Sequence, residues 1–159
     1  MNDMWKSLPW DNIRRVASHA GLDPILVAAI VATESGGQTY ATRYEAHWKY
    51  LVDVDAHAKR LGITVMTETM HQATSWGLMQ IMGGTAREMG FRDHMPKLCE
   101  VEIGLLWGCL YLTRLSNRYK NLDDVIVSYN SGSPRKGDDG RYLNQQYLDT
   151  VKKIYTELI

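Results

Sequence analysis

The most apolar stretch of the chain is Ile25-Leu26-Val27-Ala28-Ala29-Ile30-Val31-Ala32, entered through Asp23-Pro24 and left through Glu34-Ser35-Gly36-Gly37. This is a helix with its own punctuation: Asp as N-cap, Pro at the first helical position and a glycine pair as the stop. Because it is apolar on nearly every side, it belongs at the centre of the protein. Residues 10–20 predict a shorter amphipathic helix closed by Gly21. Tyr44, Trp48, Leu51, Val52, Val54, Ala58 and Leu61 are spaced as on one helix running to Gly62, and residues 67–73 as on a short one. Residues 75–84 are apolar, short and bounded by glycine, which predicts an extended segment or hairpin. A helix over 85–89 stops at Gly90. The clearest long helix covers 98–119, with Val101, Leu105, Leu106, Cys109, Leu112 and Leu115 on one face. Helices over 122–129 and 142–158 complete the series, and the polar, turn-rich segment 130–141 between them is the candidate mobile loop. The expected fold is mainly α, with a central buried helix and one small extended element.

Composition supports a packed chain. Of 159 residues, 45% are apolar and 23% charged, which is ordinary globular usage. A chain of this length buries roughly 70% of its unfolded surface, so no metal or disulfide is needed to hold a core. One domain over residues 1–159 is expected, since no repeat or linker interrupts it, and a monomer, since no heptad seam or exposed apolar strand appears. Eighteen Lys and Arg balance eighteen Asp and Glu. A neutral chain lacks the positive field with which nucleic-acid and anionic-membrane binders draw phosphates.

Cys99 and Cys109, both within the predicted 98–119 helix, would be roughly 15 Å apart, too far to bridge, and are expected to be free, buried thiols. The first ten residues lack a basic segment followed by an apolar stretch, so no secretory signal is read there, and no apolar run reaches membrane-spanning length. The five histidines show no paired metal-ligand spacing. No metal or cofactor is expected.

Glu34 carries the first candidate chemistry. On a helix it shares a face with Val27, Ile30 and Val31, so its carboxylate lies on apolar surface at the helix C-terminus. Desolvation and the negative end of the helix dipole both disfavour its ionised form, the condition a general acid requires. The same spacing also suits a carboxylate turned to solvent at a helix end.

Three segments in order favour the chemical reading. Glu34-Ser35-Gly36, Ser75-Trp76-Gly77-Leu78-Met79-Gln80-Ile81 and Val127-Ser128-Tyr129-Asn130-Ser131-Gly132 resemble the three signature motifs of the soluble lytic transglycosylases, lysozyme-like enzymes that cleave peptidoglycan. The likeness spans residues 20–155. It implies a lysozyme-like fold, Glu34 as catalytic acid and base with Ser35 beside it, Ser75, Gly77, Met79 and Gln80 shaping the groove, and Tyr129 with Asn130 next to the catalytic glutamate. Two departures stand out: Ser128 replaces the family's usual alanine, and residues 38–74 form a longer insert than usual.

What the resemblance implies is cleavage of the N-acetylmuramic acid–N-acetylglucosamine bond with formation of a 1,6-anhydro sugar. Inverting hydrolysis would instead need a second carboxylate about 6.5–9.5 Å from the acid. The insert supplies candidates: Glu45 above all, next to the aromatic Tyr44 and Trp48, then Asp53 and Asp55, with Glu68 weaker. Goose-type lysozymes, of the same superfamily, carry such a downstream acid, and that alternative stays open. So does the bland reading of Glu45, a surface carboxylate paired with Arg43 or Lys49. A third reading is a non-catalytic glycan-binding or virion module on the same fold. The expected partner is the peptidoglycan glycan strand, with no nucleic acid and no membrane insertion. The compact, signal-free form fits a bacteriophage lysin made in the cytoplasm, reaching the cell wall or periplasm through holin-mediated release or as a virion component.

Overall fold

A computed structural model describes the backbone of residues 3–159 and the side chains of residues 5–159. Met1 and Asn2, which begin the segment read as lacking a secretory signal, lie outside the described residues. In chain order the elements are α1 (Asp3–Lys6), α2 (Trp10–His19), α3 (Pro24–Ser35), β1 (Thr42–Tyr44), α4 (Val54–Leu61), α5 (Val65–Gln72), β2 (Thr74–Trp76), β3 (Ile81–Met82), α6 (Gly83–Glu88), a 3-10 turn (Met95–Cys99), α7 (Val101–Arg118), α8 (Leu122–Ser131) and α9 (Gln145–Leu158). The protein is mainly helical, with one antiparallel sheet in the order β1-β2-β3. The expected one-domain chain resolves into two compact units, one formed by the chain up to Gly37 together with Cys109–Ile159, the other by Gln38–Gly108.

In the first unit α3 is the hub, packing against α9 and α2, while α8 packs on α9. Its run Leu26–Ala32 is buried throughout, as an all-round apolar helix requires. The Asp23 side chain accepts from Ile25 N at 2.9 Å and Gly36 ends the helix in the left-handed region, as its sequence predicts. The far carboxylate oxygen of Asp23 takes a 2.7 Å bond from the Tyr155 hydroxyl, tying the start of α3 to α9. Leu148, Val151, Ile154 and Leu158 form the buried stripe of α9. The segment between α8 and α9, expected to be mobile, is hydrogen-bonded to itself through a Lys136–Tyr142 bridge, and Tyr142 donates to Asp124 at 2.6 Å.

The second unit holds the sheet and α4 to α6. Arg43 stands opposite Ser75, and Ser75 opposite Met82, so the expected hairpin exists and gains a third strand. That strand and the irregular stretch after it correct the helix expected over residues 44–61: only Val54–Leu61 is helical. Tyr44, Tyr50 and Leu51 are exposed, so their spacing did not mark a buried face. The backbone there finds partners elsewhere: Glu45 N donates to Ala73 O at 2.8 Å, while Gln72 pairs with both the N–H and the carbonyl of Val52. The predicted 98–119 helix is likewise shorter. Cys99 lies in the 3-10 turn and Cys109 in α7, so they do not share a helix; both are free and buried, and burial pushes the Cys109 thiol up to about 12.

Glu68, Gln72 and Arg87 form a buried polar cluster in this unit. Arg87 holds Glu68 with two bonds of 2.7 and 3.0 Å, Gln72 donates to Glu68 at 2.9 Å, and neither charged side chain has exposed surface. The bridge is structural, since all of its groups are satisfied internally. Among the described residues no helix is long and apolar enough to cross a membrane.

Candidate active site

Glu34 occupies the last turn of α3, two residues before the left-handed Gly36. Buried Val27, Ile30 and Val31 lie beneath it and the side chain is half-buried, so the reading of a carboxylate simply turned out to solvent is set aside. Its Oε1 accepts a 2.7 Å hydrogen bond from the hydroxyl of Tyr147, on α9. Burial raises the Tyr147 phenol well above the ordinary tyrosine value, and the charge of Glu34 and the hydrogen bond to it add to the effect. Tyr129, on α8, is buried, and its phenol is raised in the same direction by burial and by the Glu34 charge. One phenol thus donates to the carboxylate, and a second, buried on α8, is raised in part by its charge. The Tyr129 ring leans on Tyr111 at 5.3 Å between centroids.

Ser35 is turned back onto its own helix, donating to Val31 O at 3.1 Å and accepting from Gly37 N at 3.2 Å. Asn130 is exposed at the end of α8, where its side-chain oxygen accepts from Asn144, which also donates to Val127 O. This link anchors the start of α9 close to Tyr147. Sequence reasoning passed over Tyr147. The available signal was its position on the α9 stripe with Val151, Ile154 and Leu158: a tyrosine on an apolar face needs a partner for its hydroxyl.

In the second unit, residues Gly77 to Gln80 make a tight turn between β2 and β3. Gly77 (φ 72°) and Gln80 (φ 48°) both adopt left-handed backbone. At Gly77 glycine is required twice over, because a Cβ there would lie 2.3 Å from Leu98 O. Gln80 is locked: its amide donates to Ala41 O and Gly77 O, both at 2.9 Å, and its carbonyl accepts from the Ser75 hydroxyl at 2.9 Å. Met79 is fully buried against Gly108. Met79, expected to help shape the groove, therefore packs below the turn and has no exposed surface with which to touch a sugar, and Ser75 and Gln80 spend these groups on holding the turn. Tyr44 is exposed on β1. Glu45 Oε1 is paired with Arg43 Nε at 2.9 Å, the bland reading of that carboxylate. Among the described residues no three His, Cys, Asp or Glu side chains are grouped to hold a metal ion.

A family model described as the transglycosylase SLT domain matches residues 11–150. The chain belongs to the SLT transglycosylase family. The match covers all three motifs and nearly all of both units, and it makes peptidoglycan the class of substrate on which this SLT domain acts. A search of curated proteins found no match to the chain. Within the SLT domain, the Glu34 carboxylate at the end of α3 and the Gly77–Gln80 turn belong to different units.

Proposed function

We propose that this SLT domain is a lytic transglycosylase that cleaves the β-1,4 bond between N-acetylmuramic acid and N-acetylglucosamine, with Glu34 as its single acid and base. The observation that supports this reading is the Glu34 carboxylate at the end of a buried helix, held by the Tyr147 hydroxyl. Protonated Glu34 gives its proton to the bridging oxygen as the bond from that oxygen to the muramoyl C1 breaks. The resulting carboxylate takes the proton of the muramoyl 6-hydroxyl as that oxygen bonds to C1. The ring closes as a 1,6-anhydro sugar and no water is consumed. Tyr147 fixes the orientation of the carboxylate through both steps, because a phenol raised above its ordinary range stays a donor near neutral pH.

In this reading Glu45 has no chemical step, since its carboxylate is committed to Arg43. Exposed Tyr40, Tyr44 and Tyr50 offer ring faces on which sugars stack. The test is mass spectrometry of muropeptides released from purified sacculi by the wild type, Glu34→Gln and Glu45→Gln. Anhydro products from the wild type and from Glu45→Gln, with none from Glu34→Gln, are expected. Reducing ends that disappear in Glu45→Gln would overturn the reading in favour of a goose-lysozyme-like hydrolase, and no release by any variant would leave a glycan-binding module.

A further inference from the structure

The second unit carries an open basin of about 580 Å³ that none of the three motifs uses. Trp107 and Phe91 meet edge to face in its wall with centroids 5.4 Å apart, and Ile103 and Leu61 extend the apolar surface. Its charged rim comes from Arg60, Arg92, Asp93 and His94. The rim segment is clamped from two sides. From beneath, the buried Arg87 donates to Phe91 O at 2.9 Å and to Asp93 O at 2.8 Å. From outside, Arg60 donates through one guanidinium nitrogen to Arg92 O and through another to His57 Nδ1 at 2.8 Å.

The charges of the rim do not cancel. Asp93 is already engaged: its carboxylate accepts from Lys97 at 2.9 Å and from His94 N at 2.7 Å, and these bonds hold it below the usual carboxylate range. Arg87 is neutralised by Glu68. Arg60 and Arg92 are what remains, and the Arg60 guanidinium is pushed down by desolvation and by the neighbouring charges of Arg92 and Arg87. An anion entering the basin relieves that crowding at a guanidinium already fixed in place, so little side-chain entropy is lost.

We propose that this basin binds carboxylate groups of the peptide stems carried by peptidoglycan, with the Arg92 guanidinium and the remaining N–H groups of Arg60 on the acids and Trp107 and Ile103 against the short aliphatic arms. The assignment rests on peptidoglycan being the substrate, as in the proposed function. An aliphatic arm bearing carboxylates uses both halves of the basin, whereas a phosphate uses only the arginines.

The test is titration of the full-length Glu34→Gln protein, followed by NMR of the tryptophan indoles, with three probes: an acidic stem tetrapeptide, a peptide-free glycan oligomer and inorganic phosphate. The stem peptide is expected to shift the Trp107 indole, and Arg92→Gln and the double variant Arg60→Gln/Arg92→Gln to weaken its binding by tenfold or more. Both arginines are exposed, and Arg92→Gln leaves the Arg60 clamp on the Arg92 carbonyl in place. In the otherwise wild-type enzyme, turnover of peptide-free glycan is expected to be unchanged by Arg92→Gln. Equal stem-peptide affinity with and without the arginines, or equal binding of phosphate, overturns the proposal. Lysis by Glu34→Gln would sink the catalytic reading alone, because the titration does not depend on turnover.

Discussion

The Tyr147 hydroxyl and Glu34 Oε1, 113 positions apart in the chain, lie 2.7 Å from each other. α3 brings the carboxylate on its last turn and α9, packed along it, brings the phenol. A donor fixed on one oxygen restricts the carboxyl to one orientation, the condition that the two successive proton transfers proposed for Glu34 require.

Tyr147→Phe removes that donor and leaves the ring. A hydrogen bond to a charged group contributes about 1.5–3 kcal/mol, so kcat should fall roughly 10- to 150-fold. KM should stay near its wild-type value, and the thermal midpoint should drop by what one lost hydrogen bond to a charged group costs, leaving the protein folded at the assay temperature. Steady-state kinetics on sacculi beside a melting curve check this; unfolding at the assay temperature would make Tyr147 a packing residue only.

Glu68→Gln should be strongly destabilising, because Arg87 would be left buried without its counter-ion. Breaking one partner of a buried pair costs about 3–5 kcal/mol. Urea denaturation measures it, and a midpoint close to wild type would show that water or a shifted side chain replaces the carboxylate.

Acid should weaken the second unit in two stages. His57 is held below its ordinary 6.5 by burial and by the charges of Arg87, Arg60 and Arg92, against the opposing pull of Glu68. Its neutral form is the one the fold favours, and Arg60 donates to its Nδ1. That contribution is full above 6.5 and is lost as pH falls through the lower folded value. For Glu68, burial opposes ionisation, but the bonds from Arg87 and Gln72 and the Arg87 charge outweigh it and hold the carboxyl below its ordinary 4.5. Its contribution is full above 4.5 and is lost as pH falls further. Urea midpoints measured from pH 8 to 3 should first decline below 6.5. In His57→Gln the decline below 6.5 should be smaller, the remainder coming from His71, whose imidazole burial also holds below its ordinary value.

Ser128 is fully buried and its hydroxyl has no hydrogen-bond partner among the described residues. Replacing an unsatisfied buried hydroxyl by hydrogen removes a desolvation cost of about 1–3 kcal/mol, offset in part by the small void left behind. Ser128→Ala should therefore leave stability equal or raise it by about 1 kcal/mol, with activity retained. A clear drop in the thermal midpoint would mean that the hydroxyl is satisfied in solution.

Much of this protein was legible in one dimension. The ends of α3 follow from Asp23, Pro24 and Gly36, because caps act within a few residues of the chain. The mainly helical character follows from apolar spacing, and the β2–β3 hairpin from glycine-bounded apolar residues. The three ordered motifs point to the family that the SLT match shows. What the sequence left hidden were the places where distant residues supply the hydrogen bonds. Residues 45–53 resemble a helix by spacing, yet Gln72 and Ala73 take up their backbone groups. Gln80 matches a groove motif, and the motif alone does not show that its amide bonds Ala41 and Gly77. Glu34 alone is an acid at a helix end, and only the packing of α9 on α3 gives it Tyr147. Local sequence determined the elements and their caps, because those forces act between near neighbours. Which donor met which acceptor across the chain was decided by tertiary packing, where every buried polar group must find its partner wherever the fold puts one.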